Sequence, residues 1–320
     1  MSFTTFRGTT NIGDFGISEM VKTNLIYFFD WGFLETGAYF NINIPQSGAY
    51  GGDESRLRPV KDPYYADGQV WEGFRSNWVW ESGLSRAVQP IRVSGVFVNN
   101  TFIPVSGGDV YIDYPNGRAI FSSAKSTSSV VRAEFSTKWV NVYDGNDIPW
   151  TRTAEYDSQK IDTDQFLNFG SGDKAALSEV RLQLPAVIIS IDGGRYYPYE
   201  LGWGHSIHNE ITFHVVAQKG SDVERISDIV ANQGADTGKT IFGFNVNTIA
   251  DENRFPLDYR GSIASGALTF PQLVVATEDG GYRWRKIRMF DSNKQKMESI
   301  NQDFYIRPIN MTTEVVMGLL

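Results

Sequence analysis

The first long apolar pattern runs through "SEMVKTNLIYFFDWGFLETG", residues 18–37. Met20, Val21, Leu25, Ile26, Phe28, Phe29 and Phe33 form a wide apolar face, while Lys22, Asn24, Asp30 and Glu35 keep the segment amphipathic. This spacing predicts a buried helix and not a membrane span. Ser18 is the expected N-cap and Gly37 the expected glycine just past the C-terminus. Gly32, inside the pattern, costs roughly 1 kcal/mol relative to Ala, which points to a close packing contact there. Residues 45–90 follow, rich in Gly, Pro, Asp and Tyr, and carry Trp71, Trp78 and Trp80. They read as a long loop, which in a compact domain is either functional or hides short elements.

The period then changes from helical to alternating. "IRVSGVFV" reads as a strand that ends at "NNT", and "VYIDYPNGRAIF" as a hairpin with a tight turn at Asn116-Gly117. "VVRAEFSTKWVNVY" sets Val131, Ala133, Phe135 and Trp139 against Arg132, Glu134, Ser136 and Lys138, which predicts one long half-buried strand. Residues 1–150 are thus expected to form an N-terminal helix and an antiparallel β-sandwich or barrel domain. Polar residues 151–176 read as a linker. In residues 177–320, "EVRLQLPAVIISID", "EITFHVVAQKG" and "IFGFNV" read as strands. "SDVERISDIVAN" reads as a short helix capped by Ser221 and packed through Val223, Ile226, Ile229 and Val230. "LVVATEDGGYRWRKIRMF" reads as a hairpin, and "FYIRPINMTTEVVM" as a final strand pair or one long strand. The expected class is α+β and β-rich, with an α/β second domain.

Composition narrows the picture. The apolar content of 41% suits a globular chain, and 31 Gly with 21 Phe suits strands joined by tight turns. The chain has no Cys, which excludes disulfides, thiol nucleophiles and thiolate metal sites and leaves the redox compartment open. A net charge of -8 argues against broad binding to a phosphate backbone. "MSFTTFRGTT" lacks the pattern of a signal peptide, and no apolar run reaches the length of about 18 residues that suggests a spanning helix.

Several stretches invite a chemical reading. "GADTGKT", Gly234 to Thr240, resembles a phosphate-binding loop, but Gln233 stands where that motif needs its first glycine. Its expected place, after a helix and before a strand, also reverses the order a phosphate loop needs. The three histidines lie in "HSIHNEITFH". On a strand, His208, Glu210 and His214 share a face and His205 points the other way, with His208 and His214 about 20 Å apart. They cannot hold one ion together, although ligands two residues apart could. Glu72 and Glu81 flank the tryptophans, as paired carboxylates beside sugar-stacking rings would in a glycoside hydrolase. The alternative is that Trp71, Trp78 and Trp80 pack a core or an inter-subunit surface. "RWRKIR" spaces Arg283, Arg285 and Arg288 around Trp284, either as a solvated face or as a contact to DNA phosphates or an acidic neighbour. No nucleophile motif is present, and no catalytic, cofactor-binding or metal-binding residue is assigned.

Recognition reaches further. "YELGWGHSIHNEITFHVVAQKGSDVERISDIV" resembles the neck and tail-terminator proteins of tailed bacteriophages, in which a strand with an aromatic-Glu-Leu-Gly turn leads to a long strand and then a helix. "FYIRPINMTTEVVM" is similar to the closing strand of the same class. "VSGVFVNNTFIPV", "VYIDYPNGRAIFSS" and "VVRAEFSTKWVNVY" resemble a β-domain of phage virion proteins. The resemblance covers about half of the chain. It implies a tail-terminator-like second domain in a non-enzymatic virion protein, assembled in the host cytoplasm. That protein would form a six- or twelve-fold homo-oligomeric ring at the head–tail junction. Its neighbours would be other neck or connector proteins and tail tube or sheath proteins. DNA would pass through it without specific binding, and neither cofactor nor membrane is implied. The alternative expectation is a β-rich host- or glycan-binding fibre or baseplate module.

Overall fold

The structure, a computed structural model, describes residues 17–44, 53–81, 83–145, 183–200, 204–234, 239–242, 257, 260–263, 284–301 and 304–317. The linker expected at 151–176, the first strand of the hairpin expected before Arg283, and the N-terminal residues 1–16 lie outside them. The fold is β-rich, with an N-terminal helix and predominantly antiparallel sheets.

Helix α1 (Ile17–Glu35) ends as its sequence predicts. Gly37 adopts φ +88°, its N–H donates to the Leu34 carbonyl at 2.8 Å, and the Ala38 N–H donates to the Phe33 carbonyl at 3.0 Å. This pair of reversed bonds is the Schellman arrangement, and it needs a residue that tolerates a left-handed backbone. Ser18 is not the cap, because it lies inside the helix. Nor is α1 amphipathic. Lys22, Asn24 and Asp30 are buried along with Val21, Leu25, Phe29 and Phe33 on one side and Tyr27, Trp31 and Leu34 on another. A helix apolar on two flanks has to be covered on both, and among the described residues only a narrow strip at Ser18 and Gly32 stays exposed.

The smaller β-unit has seven strands: β2 (Arg56–Pro59), β3 (Val70–Glu72), β4 (Gly95–Val98), β5 (Thr101–Pro104), β6 (Val110–Asp113), β7 (Arg118–Phe121) and β8 (Val131–Ala133), in the order β5-β4-β8-β2-β3-β7-β6. Strand β2 turns the corner of this curled, barrel-like sheet: Arg56 and Leu57 pair with β8, while Arg58 and Pro59 pair with β3. Trp71, Trp78, Phe121 and Phe135 fill its interior, with Trp78 stacked on Phe135 at 4.2 Å between ring centroids. The loop expected at 45–90 therefore contains two strands of the sheet, too short to show a period.

The alternating stretch 130–143 is not one strand. It divides into β8, β9 (Phe135–Lys138) and β10 (Asn141–Asp144), which join three different sheets. Strand β9 pairs with β1 (Tyr39–Ile42), and all four of its residues are buried. Alternation fails there because both faces of β9 are covered.

Two hairpin turns also exchange roles. Asn99 and Asn100, at φ 47° and 68°, form the two-residue turn between β4 and β5, the left-handed pair that a type I′ turn needs. At Asn116-Gly117 the loop is longer. Asp113 pairs with Arg118, only Gly117 has positive φ, and its N–H returns to the Tyr114 carbonyl at 3.2 Å. Pro115 preceding Asn116 suits this wider turn, since its fixed φ fits the first central position.

The larger sheet contains β10, β11 (Ala186–Glu200), β12 (Gly204–Ala217), β13 (Lys239–Phe242), β14 (Trp284–Lys294), β15 (Glu298–Asn301) and β16 (Phe304–Met317), in the order β10-β11-β12-β16-β14-β13 with β15 also on β16. Among the described residues, only β10 and β11 run parallel. "FYIRPINMTTEVVM" is one long strand. One face of the sheet is covered by α1 and by α2 (Gly220–Asn232) in a single core containing Phe29, Val187, Phe213, Ile226, Ile287 and Met311. Ser221 lies within α2, whose N-cap is Lys219, and Ile229 is exposed, so the packed residues are Val223, Ile226 and Val230.

Two substitutions test this account. Gly32 is exposed, and an added Cβ would have nothing within 4 Å; no packing contact requires it. Gly32→Ala should raise stability by roughly 0.5–1 kcal/mol in thermal or urea unfolding. Gly117→Val should do the opposite. Its Cβ would lie 2.5 Å from the Arg75 carbonyl oxygen and 2.9 Å from Trp78 Nε1, and the left-handed backbone adds strain of roughly 1–3 kcal/mol. An unchanged melting temperature would contradict the turn.

Candidate functional site

The tryptophan-rich segment splits into separate environments. Trp71 and Trp78 are core residues; their indole N–H groups donate to the Gly68 and Arg75 carbonyls, each at 2.9 Å. Neither is available to an inter-subunit contact. Trp80 is half-buried and meets Trp31 of α1 edge-to-face at 5.4 Å. Glu72 and Glu81 are held by different cations. Glu72 pairs with Arg118 at 3.2 Å, which also reaches Asp62 at 3.4 Å. Glu81 belongs to a deeper cluster.

That cluster is centred on Lys138 of β9. Its Nζ lies 2.5 Å from Asp30 Oδ2 of α1 and is in hydrogen-bond contact with Glu81 Oε1. The ammonium also sits 5.9 Å from the centre of the Trp80 ring. Burial lowers the affinity of Lys138 for its proton, but the two carboxylates outweigh it and push the pKa up to about 12. Glu81 is fully buried, and desolvation pushes its pKa up to about 8 against the attraction of Lys138. One cation cannot neutralise two carboxylates, so Glu81 keeps a proton at neutral pH. The sequence reading placed Asp30 and Lys138 on solvated faces. A charge inside a nearly all-apolar helix, and another on a buried strand, were the signals available.

The second cluster lies on the face of the large sheet turned away from the helices. Strands β12, β14 and β16 bring His208, Phe290, Arg288 and Glu314 together. The His208 ring meets Tyr197 edge-on at 4.9 Å and Phe290 at 5.7 Å, and Nε2 lies 3.1 Å from Ser206 Oγ and 3.5 Å from Glu314. Ser206 donates to Glu314 at 2.9 Å. A serine nucleophile needs its hydroxyl on one ring nitrogen and the carboxylate on the other. Here both partners face Nε2, and the hydroxyl is committed to Glu314, so this geometry is not that relay. Glu210 faces Arg195 at 3.5 Å, and His214 lies three register steps along the same face from His208, with its pKa lowered by burial against the pull of Asp192. The side chain of His205 lies outside the described residues. Among the described residues, no group of at least three His, Asp or Glu side chains could hold a metal ion.

The basic run is only partly described. Arg288 is half-exposed and pairs with Glu314 at 3.8 Å, while Arg283 and the side chain of Arg285 lie outside. In "GADTGKT", Lys239 opens strand β13 after α2, so the order is helix, loop, strand. A phosphate would need a helix N-terminus at this point. No described helix is long and apolar enough to cross a membrane. No family model matches the chain, and no curated protein matches it.

The buried cluster predicts a pH dependence. Glu81 binds its proton up to about pH 8 in the folded chain, against a reference value of 4.5. Between those values the folded state holds a proton that the unfolded chain has released, so stability falls as pH rises. The slope reaches at most roughly 1.4 kcal/mol per pH unit. Glu81→Gln keeps the shape, removes the titration, and should flatten the melting temperature between pH 5 and 8 relative to wild type. An unchanged slope in that variant would rule out Glu81 as the source.

Proposed function

We propose that this protein is a structural subunit of a tailed-phage virion that closes into a ring at the head–tail junction. The phage-like segments support the reading, and the geometry of the β11–β12 hairpin carries it. Beyond Ile191, strand β11 has no described partner on its outer side, and residues 192–198 are all exposed. Tyr196 and Tyr197 stand 57% and 42% exposed on this arm, beside Arg195. Tyrosine and arginine are the residues that anchor subunit contacts, and a folded body that holds them out on a rigid hairpin presents a ready contact surface. In a ring each subunit meets two neighbours, so one such contact is repeated around the axis. The tail-terminator-like character of the second domain belongs to this proposal, as do neighbours in the neck and tail.

A fibre or baseplate module that binds a host surface is the second reading. It is favoured by the open sheet face, where Tyr197 and Phe290 flank His208 among charged groups. Particle symmetry separates the two, since six or twelve copies suit a ring and three suit a fibre.

The test is a paired substitution. Tyr196→Ser with Tyr197→Ser should leave the unfolding free energy within about 0.5 kcal/mol of wild type, as exposed positions do. The same change should weaken assembly at least tenfold in sedimentation or light scattering. Antibody labelling of intact particles should place the chain between capsid and tail. Label at the distal tail tip, or none on particles, would end the ring reading.

A further inference from the structure

At the contact of α1, β9 and the segment after β3, an amine and two carboxyl groups meet in dry surroundings. Lys138 Nζ lies 2.5 Å from Asp30 Oδ2 and touches Glu81 Oε1, and the two carboxyl groups are themselves hydrogen-bonded. The side chains of Lys138 and Asp30 are 10% exposed and that of Glu81 not at all. Trp80 and Trp31 wall the cluster, and the buried Tyr27 faces both carboxyl groups.

In water an amine and a carboxylic acid do not condense, because one is protonated and the other is a carboxylate. Both obstacles are ionic. Burial disfavours the charged forms of both groups; the carboxyl groups hold Lys138 charged at rest, but its proton already lies on a hydrogen bond to Asp30 and has only to move along it. With Glu81 protonated, moving one proton from the Lys138 ammonium to Asp30 turns the trio into three neutral groups without changing its net charge. The amine nitrogen is then already in hydrogen-bond contact with the carboxyl group whose carbon it must reach.

We propose that Lys138 and Asp30 condense into an intramolecular amide, with Glu81 as the catalytic residue that moves the proton. The Nζ lone pair attacks Cγ of Asp30 and forms the C–N bond. Glu81 takes a proton from Nζ and gives one to the departing Asp30 oxygen. The C–O bond breaks and the oxygen leaves as water. One C–N bond is gained, one C–O bond is lost and one water is released. Glu81 ends as it began, and no oxidant, reductant or co-substrate is consumed. Glu81 is the proton carrier because it is the more deeply buried acid and retains its proton at neutral pH. Asp30 is the acyl group. The bond closes a loop across 108 positions of sequence and fastens α1 to β9. This inference does not depend on the ring reading.

The experiment is mass spectrometry of the full-length protein, folded at neutral pH and then denatured. The expected mass is the sequence mass less one water. Proteolysis should release a branched peptide joining Lys138 to Asp30, which separates the bond from water loss at a single aspartate. Glu81→Gln, checked for folding by circular dichroism, should keep the full mass, as should Lys138→Arg and Asp30→Ala. If any of these variants fails to fold, the wild-type mass and branched peptide decide alone. A wild-type chain that retains the sequence mass after days in the folded state overturns the proposal. So does water loss that persists in Lys138→Arg, and a branch mapped to Glu81 overturns the assignment of roles.

Discussion

The two β-units share one helix, α1, and each covers a different flank of it. One flank of α1 joins the core of the large sheet through Val21, Leu25, Phe29 and Phe33. The other meets Val79 and Leu84 through Tyr27, Trp31 and Leu34. Neither β-unit could leave α1 without exposing a wide apolar surface, at a cost of roughly 25 cal/mol per Å². The helix therefore belongs to both halves, as does the stretch from β8 to β10. A second seam is polar: Asn77 donates to Asn141 at 2.9 Å and to Tyr143 at 2.7 Å, and Ser76 N–H donates to Gln183 at 2.8 Å.

Covering both flanks of a helix forces the polar residues on them to find partners inside. Lys22 reaches Asp144 at 2.6 Å, and Asp30 reaches Lys138. Buried ion pairs seldom add net stability over apolar packing, but removing one partner is severe because it strands a charge. The Lys138 cluster has this character, and its two acids on one base set up the proton held by Glu81. By contrast, the far face of the large sheet around His208 is open and mixed in sign, with Arg195 against Glu210 and Arg288 against Glu314, while its other end is closed over Ile188, Val216 and Phe304. The chemistry of the protein is thus divided between a sealed centre and an open surface.

Much of the fold was legible where one physical rule acted alone. The stop signal of α1 at Gly37, the two long strands before α2 and the final strand all follow from local pattern. Strands β2 and β3 were not legible, because four and three residues are too few to show a period. The stretch 135–138 misled in the opposite way. Ser136 and Lys138 look like an outward face but are buried, with Asp30 of α1 meeting Lys138 on what would otherwise be the wet side. The candidate cluster was invisible for the same reason. Asp30, Glu81 and Lys138 are spread along the chain, and nothing in the local spacing shows that folding will bring them to one point.

The outer margin of β11 has a consequence for growth. Its pairing with β12 slips twice, between Ile191 and Gly193 and between Pro198 and Glu200. Pro198 has no amide hydrogen to offer, and the slips leave the margin kinked and twisted. A foreign strand laid along it would find donors missing and spacing wrong. The same irregularity makes the margin a poor template for cross-β layers. An uncovered strand margin can thus stand in water without offering a template for runaway fibre growth on this side.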